Sequence, residues 1–209
     1  MSVLVFIEAK NKVSKAALEA VSYGSKIDST CVVTFGNISS DELSIVGEYG
    51  AEKVLVCREL SASNDQQLTN LIHAAVESTG AEIVVLSQDQ TGKSVGPRVA
   101  AKLNAGHVSG AIDLPDTSNG FHVNTNVFSG KAMAKVAVHS DKKVISLLPN
   151  SLSPEKTGGS ATVEEFSADL GEGKIVVKEM KSQGEGIPLP EAELVVSAGR
   201  GLKGPENWG

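Results

Sequence analysis

The chain has only two cysteines, few aromatic residues and no cluster of histidines, and each shortage excludes a class of protein. Cys31 and Cys57 lie inside the apolar stretches TCVVTF and KVLVC, which is typical of reduced, packed thiols. A disulfide framework is therefore not expected. The four histidines are far apart in the sequence, and none shares a helical face with a second metal ligand. The sequence predicts no metal site.

Runs of one charge and long apolar runs are also missing. The chain has 19 Lys and Arg against 25 Asp and Glu, with the positive charges scattered along its length. Nucleic acid and anionic membranes are therefore not expected as partners. No apolar stretch reaches membrane-spanning length, and the start MSVLVFIEAK lacks the basic residues and cleavage site of a signal peptide. We expect a cytoplasmic protein with no membrane insertion.

Three catalytic or nucleotide-binding motifs fail at identifiable positions. The stretch SQDQTGKS ends like a phosphate-binding loop, but Ser87 stands where that loop needs its first glycine. We interpret the stretch as a structural loop. No G-x-S-x-G elbow is present, and no G-x-G-x-x-G follows the first strand. Hydrolase chemistry and ordinary NAD binding are therefore not predicted.

What the sequence does contain is a regular alternation of apolar runs and amphipathic segments. With 209 residues, 41% of them hydrophobic, the chain can bury a substantial core. Short apolar runs predict strands over 2–8, 29–35, 53–57 and 82–87, with helical periodicity between them. This pattern is typical of a parallel sheet crossed by helices. Capping residues predict the helix ends: Ser14, the Ser39–Glu42 capping box, Asn64, Gly80 and first-turn Pro97.

From about residue 107 the pattern changes to strands without helices between them. FHVNTNVF and KAMAKVAVH flank a predicted hairpin at Ser129-Gly130, and KKVISLLP, ATVEEFSAD and KIVVKEM follow as strands. We therefore predict a three-layer α/β sandwich, mostly parallel in its first half and rich in antiparallel strands in its second. A polar stretch over 181–193 predicts a linker. The predicted domains are an α/β domain over 1–184, then a linker and the first strand and turn of another domain over 185–209.

The C-terminal stretch VVSAGRGLKGPENWG raises the question of function. Residues 194–197 predict a buried strand, and Gly199 and Gly201 offer the open backbone angles of a tight turn. Ligands of α/β sheets bind beyond the carboxyl ends of strands, so Arg200 would stand where an anionic group could sit. From these residues alone, a surface arginine in a frayed terminus is the alternative.

Four stretches together resemble the alpha subunit of electron-transfer flavoprotein. They are LVFIE near the start, TGKSVGPRVAAKLNAGHVSG over 91–110, FSGKAMAKV over 128–136, and LPEAELVVSAGRGLKGPENW over 189–208. The last is the most specific, because it is similar to the family's crossing into its flavin-binding domain, which continues beyond Trp208. Two departures are Asn124-Thr125, where the family usually has Arg-Pro, and Ala198, where it commonly has glycine.

The resemblance implies a heterodimer of alpha and beta subunits that holds one FAD. Such a carrier takes electrons from acyl-CoA and related dehydrogenases of fatty acid β-oxidation and passes them to a membrane quinone oxidoreductase, without substrate chemistry of its own. Arg200 matches the family's flavin-contacting arginine, with Gly199 and Gly201 beside it, and the other FAD ligands are expected outside this chain. AMP is expected only in the beta subunit. The alternative function is a free-standing adenine-nucleotide-binding α/β module.

Overall fold

The computed structural model describes residues 1–9, 12–60, 64–175, 178, 189, 192 and 194–207. The chain divides into two compact units, residues 1–178 and 179–209. The first unit contains all the helices longer than one turn and all the strands among the described residues. The boundary predicted near residue 184 lies outside the described residues and stays a prediction.

Strands and helices alternate through the first half of the first unit, as the apolar pattern predicts. The second half adds strands alone, beginning with β5. In chain order the elements are β1 Val3–Phe6, α1 Lys15–Ser25, β2 Thr30–Phe35, α2 Ser40–Ser44 continued by a 3₁₀ turn Ile45–Tyr49, β3 Ala51–Cys57, α3 Asp65–Thr79, β4 Ile83–Ser87, α4 Gln90–Leu103, β5 Gly106–Ala111, β6 His122–Val127, β7 Ala132–Ala137, β8 Lys143–Leu147 and β9 Thr162–Glu165.

The nine strands of the described ranges join one sheet in the order β7-β6-β5-β8-β4-β1-β2-β3-β9. Neighbouring strands in the part of the sheet ordered β5-β8-β4-β1-β2-β3-β9 are parallel. At the β5 edge, β6 pairs antiparallel with β5, and β7 pairs antiparallel with β6. The predicted fold class, a three-layer α/β sandwich that is mostly parallel in its first half and rich in antiparallel strands in its second, is confirmed. Two strands of that second half, β8 and β9, pair in parallel with strands of the first half.

The sheet separates two hydrophobic cores, because successive side chains of a strand point to opposite faces. In β1, Val3 and Val5 belong to the core on the α1 side. Leu4 and Phe6 belong to the core that contains apolar residues of α3 and α4. Helices on both faces of the strand explain why β1 is buried along its whole length and reads as a continuous apolar run.

The predicted helix starts agree with the capping contacts. The side chains of Ser14 and Ser39 accept hydrogen bonds from the backbone N–H groups of Ala17 and Glu42, both at 3.2 Å. The carboxylate of Glu42 accepts from Val13 N at 3.0 Å, so the capping box ties α2 to the chain preceding α1. The two predicted ends of α3 are also observed. Asn64 is its N-cap, and Gly80 is its C-cap with φ 69°.

The prediction for Pro97 is wrong. Helix α4 begins at Gln90 with Asp89 as its N-cap, so Pro97 lies inside the helix rather than in its first turn. Proline cannot donate the hydrogen bond to the carbonyl of Lys93, four residues earlier. Both residues are exposed, so water can reach this carbonyl.

Two irregular segments pack against helices of the first unit. Residues 148–161 run from β8 to β9 and contact α1, where Asn150 N donates to Glu19 Oε2 at 2.9 Å and Glu155 N donates to Ser22 Oγ at 3.1 Å. Residues 166–175 contact α3 and its N-cap, whose side-chain amides donate hydrogen bonds to backbone carbonyls of this segment. The donors are Asn64 to Ile175 O at 2.9 Å, Gln67 to Gly171 O at 3.3 Å and Asn70 to Leu170 O at 2.8 Å.

Two predicted strands have different outcomes. Most of the strand predicted over 174–180 lies outside the described residues. The strand predicted over 194–197 is not formed: the residues are irregular, and Leu194 and Val196 are 84% and 75% exposed. An isolated strand has no partner for its backbone N–H and C=O groups, and β-propensity alone does not supply one.

Candidate functional site

The first candidate site is the crevice beyond the carboxyl ends of β1 and β4, where the strand order reverses. Open α/β sheets bind their ligands at such a switch point. Here the crevice holds a cavity of about 20 Å³, lined by residues that include Glu8, Ser87 and Asp89. This volume accommodates about one water molecule, not a nucleotide.

The charges at this crevice are also unfavourable for a phosphate. Asp89 Oδ1 accepts a hydrogen bond from Gly92 N at 2.8 Å, and Glu8 Oε2 accepts one from Thr91 Oγ1 at 2.7 Å. Burial raises the pKa of Asp89, and the nearby charge of Glu8 adds to this. The N-terminal N–H groups of α4, which could bind an anion, already face a carboxyl group of the chain. These features disfavour the adenine-nucleotide-binding module.

Gly92, Lys93 and Ser94 belong to the first turns of α4, so the interpretation of this stretch as a loop is wrong. A Cβ on Gly92 would lie 1.8 Å from the carbonyl oxygen of Ser87. Ser94 Oγ donates to Asp65 Oδ2 of α3. Gly92 therefore allows the start of α4 to approach the end of β4, and Ser94 links two helices.

A larger cleft of about 320 Å³ lies at the opposite edge of the sheet, near the amino ends of β1, β2 and β3. Lys53 Nζ and Glu164 Oε1 form an ion pair across part of it at 2.9 Å. Burial raises the pKa of the Cys31 thiol to about 11. Because the thiolate is the nucleophilic form, Cys31 is not an activated nucleophile.

The second candidate site is the turn that contains the three residues predicted to bind the cofactor, Gly199, Arg200 and Gly201. Residues Arg200–Leu202 form a single 3₁₀ turn, in which Leu202 N donates to Gly199 O at 3.1 Å. Gly199 and Arg200 line an open depression of about 320 Å³ together with Leu202, Lys203 and other residues of this turn. Arg200 is exposed.

The expectation that the two glycines supply open backbone angles is wrong. Gly199 is extended, with φ −81° and ψ 174°, and Gly201 lies in the 3₁₀ turn without a positive φ. A Cβ built on either glycine would meet no atom within 4 Å. Among the described residues, nothing about the fold requires glycine here. The two glycines leave free space on either side of Arg200, as a molecule approaching the backbone would need.

Sequence reasoning missed Lys203, which lies in the same turn with φ 63° and ψ −40°. Lysine rarely adopts a positive φ, so its presence in the sequence carries no signal for this conformation. The role of Asn207 was missed for a different reason: its side-chain contact, from Nδ2 to Leu202 O at 2.7 Å, is visible only in three dimensions.

A family model described as "Electron transfer flavoprotein domain" matches residues 3–170, most of the first unit. The chain belongs to the electron transfer flavoprotein family. The resemblance inferred from the sequence motifs is thereby confirmed. No helix in the described ranges has the length and apolar character needed to cross a membrane.

Curated relatives from the electron transfer flavoprotein family align with nearly the whole length of this chain. The electron transfer flavoprotein subunit alpha of Bacillus subtilis (strain 168) is 28% identical over 198 residues, covering 91% of this chain and 61% of the relative. A probable mitochondrial alpha subunit of Caenorhabditis elegans is 27% identical, covering 95% and 61%. The Pseudomonas aeruginosa alpha subunit is 29% identical, covering 100% and 68%. The chain thus spans about three fifths of the length of the first two relatives.

Proposed function

We propose that this chain is the part of an electron transfer flavoprotein alpha subunit that contributes Arg200 to an FAD site shared with a beta subunit. The assembled carrier takes electrons from acyl-CoA and related dehydrogenases and delivers them to a quinone oxidoreductase. It is a redox partner rather than an enzyme with a substrate of its own. The observation that carries this proposal is the family match over residues 3–170, joined to alpha-subunit relatives that cover at least nine tenths of the chain.

The residues of the Arg200 turn fit one side of a flavin site. The guanidinium is exposed, it lines the depression of about 320 Å³, and the glycines on both sides leave the backbone open to a ligand. Cofactor sites are usually enclosed concave pockets, whereas this depression is open. FAD would therefore need further residues, which we assign to the part of the relatives that this chain does not cover and to the beta subunit.

When bound, FAD supplies the redox chemistry by accepting and releasing electrons. The task of Arg200 is electrostatic. Its guanidinium carries a positive charge and offers several N–H donors in a fixed plane. Beside the cofactor, such a charge favours negative charge on the flavin and so raises its reduction potential. Gly199 and Gly201 would let the backbone lie close to the cofactor, because neither carries a side chain.

We assign the AMP of the family to the beta subunit. In the present chain the switch-point crevice offers about 20 Å³, and Glu8 and Asp89 already accept the hydrogen bonds that a phosphate would need. Both features support a scaffolding role for the first unit.

Coexpression of the complete alpha subunit with its beta subunit tests the proposal. We expect a heterodimer with one FAD, whose absorbance bleaches when an acyl-CoA dehydrogenase and its acyl-CoA are added. The matched control contains the dehydrogenase without acyl-CoA and should not bleach. Failure of the two subunits to copurify, or a heterodimer without flavin, would contradict the proposal.

A further inference from the structure

Lys203 has a backbone conformation that is unusual for a residue with a side chain. Its φ of 63° and ψ of −40° place it at the centre of a γ-turn, in which Gly204 N donates to Leu202 O at 2.8 Å. This form of the γ-turn is rare and strained for a residue with a side chain. Strained residues persist where the surroundings hold them, and they concentrate at ligand-binding sites.

The γ-turn is braced by the residues that follow it. Leu202 O accepts a second hydrogen bond, from Asn207 Nδ2 at 2.7 Å, and Asn207 N donates to Gly204 O at 3.1 Å. These bonds close the turn around Lys203 from its C-terminal side. A glycine at position 203 would adopt the same angles without strain, so the presence of lysine calls for a reason in its side chain.

The position of Lys203 relative to Arg200 supplies that reason. Lys203 N donates to Arg200 O at 3.1 Å, so one hydrogen bond links the two residues across the turn. Both line the same depression of about 320 Å³. None of the ion pairs in the described part of the chain includes Arg200 or Lys203. The carboxylate of Glu206 lies beside Gly204 without pairing with either cation, and an anion bound near both cations would offset their mutual repulsion.

We propose that Lys203 is a second cofactor-binding residue, which together with Arg200 holds one anionic group of the flavin nucleotide. This inference rests on the proposed function and adds a residue to its site. The anionic group is either the diphosphate of FAD or the flavin ring when it carries negative charge. The backbone strain at Lys203 is then maintained because it directs the ammonium group toward the ligand.

Three substitutions in the flavin-loaded heterodimer of complete subunits separate charge from backbone geometry. Lys203→Met removes the charge, Lys203→Arg keeps it, and Lys203→Gly relieves the strain while removing the side chain. The dissociation constant of FAD is measured at low and high salt, and the reduction potential of the bound flavin is measured by spectroelectrochemistry. Gel filtration of each variant verifies that the heterodimer is intact.

We expect Lys203→Met and Lys203→Gly to weaken FAD binding by roughly tenfold or more, or to lower the reduction potential, while Lys203→Arg stays close to wild type. A loss of affinity with reduced salt dependence and an unchanged potential assigns the contact to the diphosphate. A lowered potential assigns it to the ring. If Lys203→Met changes neither quantity, or if Lys203→Gly binds FAD as tightly as wild type, the inference is overturned. A wild-type heterodimer that lacks FAD would instead overturn the proposed function on which it rests.

Discussion

The carboxylate of Glu19 accepts a hydrogen bond from the backbone N–H of Asn150, with 2.9 Å between Oε2 and N, although the side chain of Glu19 is only 2% exposed. The ammonium group of Lys15 lies 4.0 Å from its other oxygen. Glu19 therefore joins the middle of α1 to the segment over 148–161, which links the centre of the sheet to its edge strand β9. A buried carboxylate at this point makes the contact sensitive to pH.

Substitution of Glu19 tests this contact. Glu19→Ala removes the acceptor and leaves the N–H of Asn150 without its partner, so the free energy of unfolding should fall by about 1–3 kcal/mol. Glu19→Gln keeps an acceptor oxygen of the same reach and should cost much less. Urea denaturation at pH 7 measures both. Equal losses for the two variants would mean that the hydrogen bond to Asn150 does not contribute to stability.

The same residue predicts a pH dependence. Burial raises the pKa of Glu19, while its hydrogen bond to Asn150 and the charge of Lys15 oppose that shift only in part. The folded state therefore holds this proton more tightly than the unfolded state, and the associated stability is present at low pH and lost as pH rises through the folded pKa. We expect Glu19→Gln to remove this contribution, so the difference in stability between variant and wild type should become more favourable to the variant from pH 4 to pH 7. A pH-independent difference would contradict the sign.

Gly47 and Gly201 form a matched pair for a steric test. A Cβ on Gly47 would lie 2.0 Å from the backbone N of Ala161, an atom that cannot move without displacing β9, whereas a Cβ on Gly201 meets nothing within 4 Å. Gly47→Ala should lower the free energy of unfolding by about 1–3 kcal/mol. Gly201→Ala should change it by less than about 0.5 kcal/mol. Thermal unfolding followed by circular dichroism compares the two, and equal effects would refute the close contact at Gly47.

Asn64 has two roles that one substitution separates. Its Oδ1 caps α3 by accepting from Gln66 N at 3.0 Å, and its Nδ2 donates to Ile175 O at 2.9 Å. Aspartate is an equally good N-cap but has no donor, so Asn64→Asp should preserve α3 and release the end of the segment over 166–175. Trypsin should then cleave after Lys174 roughly fivefold faster or more, as expected for the loss of about 1 kcal/mol. Mass spectrometry of a digestion time course measures the rate, and an unchanged rate would show that this bond does not hold the segment.

The starts of α1, α2 and α3 were predictable from the sequence because their causes are local. Ser14, Ser39 and Asn64 cap the residues that follow them within three positions, so spacing alone identifies them. Strand order depends on contacts between distant residues. The insertion of β8 between β5 and β4, and the pairing of β9 with β3, follow from packing over the whole sheet and leave no signature in either strand.

The candidate site was predictable only in part, for the same reason. The motif around Arg200 identifies one turn by the two glycines that flank the arginine, and its role in cofactor binding stays a prediction. Its conformation was not predictable: the glycines have ordinary angles, and the positive φ belongs to Lys203. That angle depends on the hydrogen bonds around Leu202 O, which involve a residue five positions later. The prediction of a strand over 194–197 was wrong because a strand needs a neighbouring strand to pair with, which the local sequence does not specify.

The reduction potential of the bound flavin in Arg200 variants tests the central claim most directly. In the heterodimer of complete subunits, Arg200→Ala should weaken flavin binding or lower its potential by an amount equivalent to roughly 1.5–3 kcal/mol, the value of a charge-assisted hydrogen bond. Arg200→Lys should have a smaller effect, because it keeps the charge and loses the planar fork. The thermal stability of the first unit should not change, since Arg200 lies outside it. Spectroelectrochemical titration of wild type and both variants, beside their flavin dissociation constants, gives the answer: a graded loss from wild type through Lys to Ala is the predicted result, and unchanged potential and affinity in Arg200→Ala would contradict a flavin-binding role for this turn.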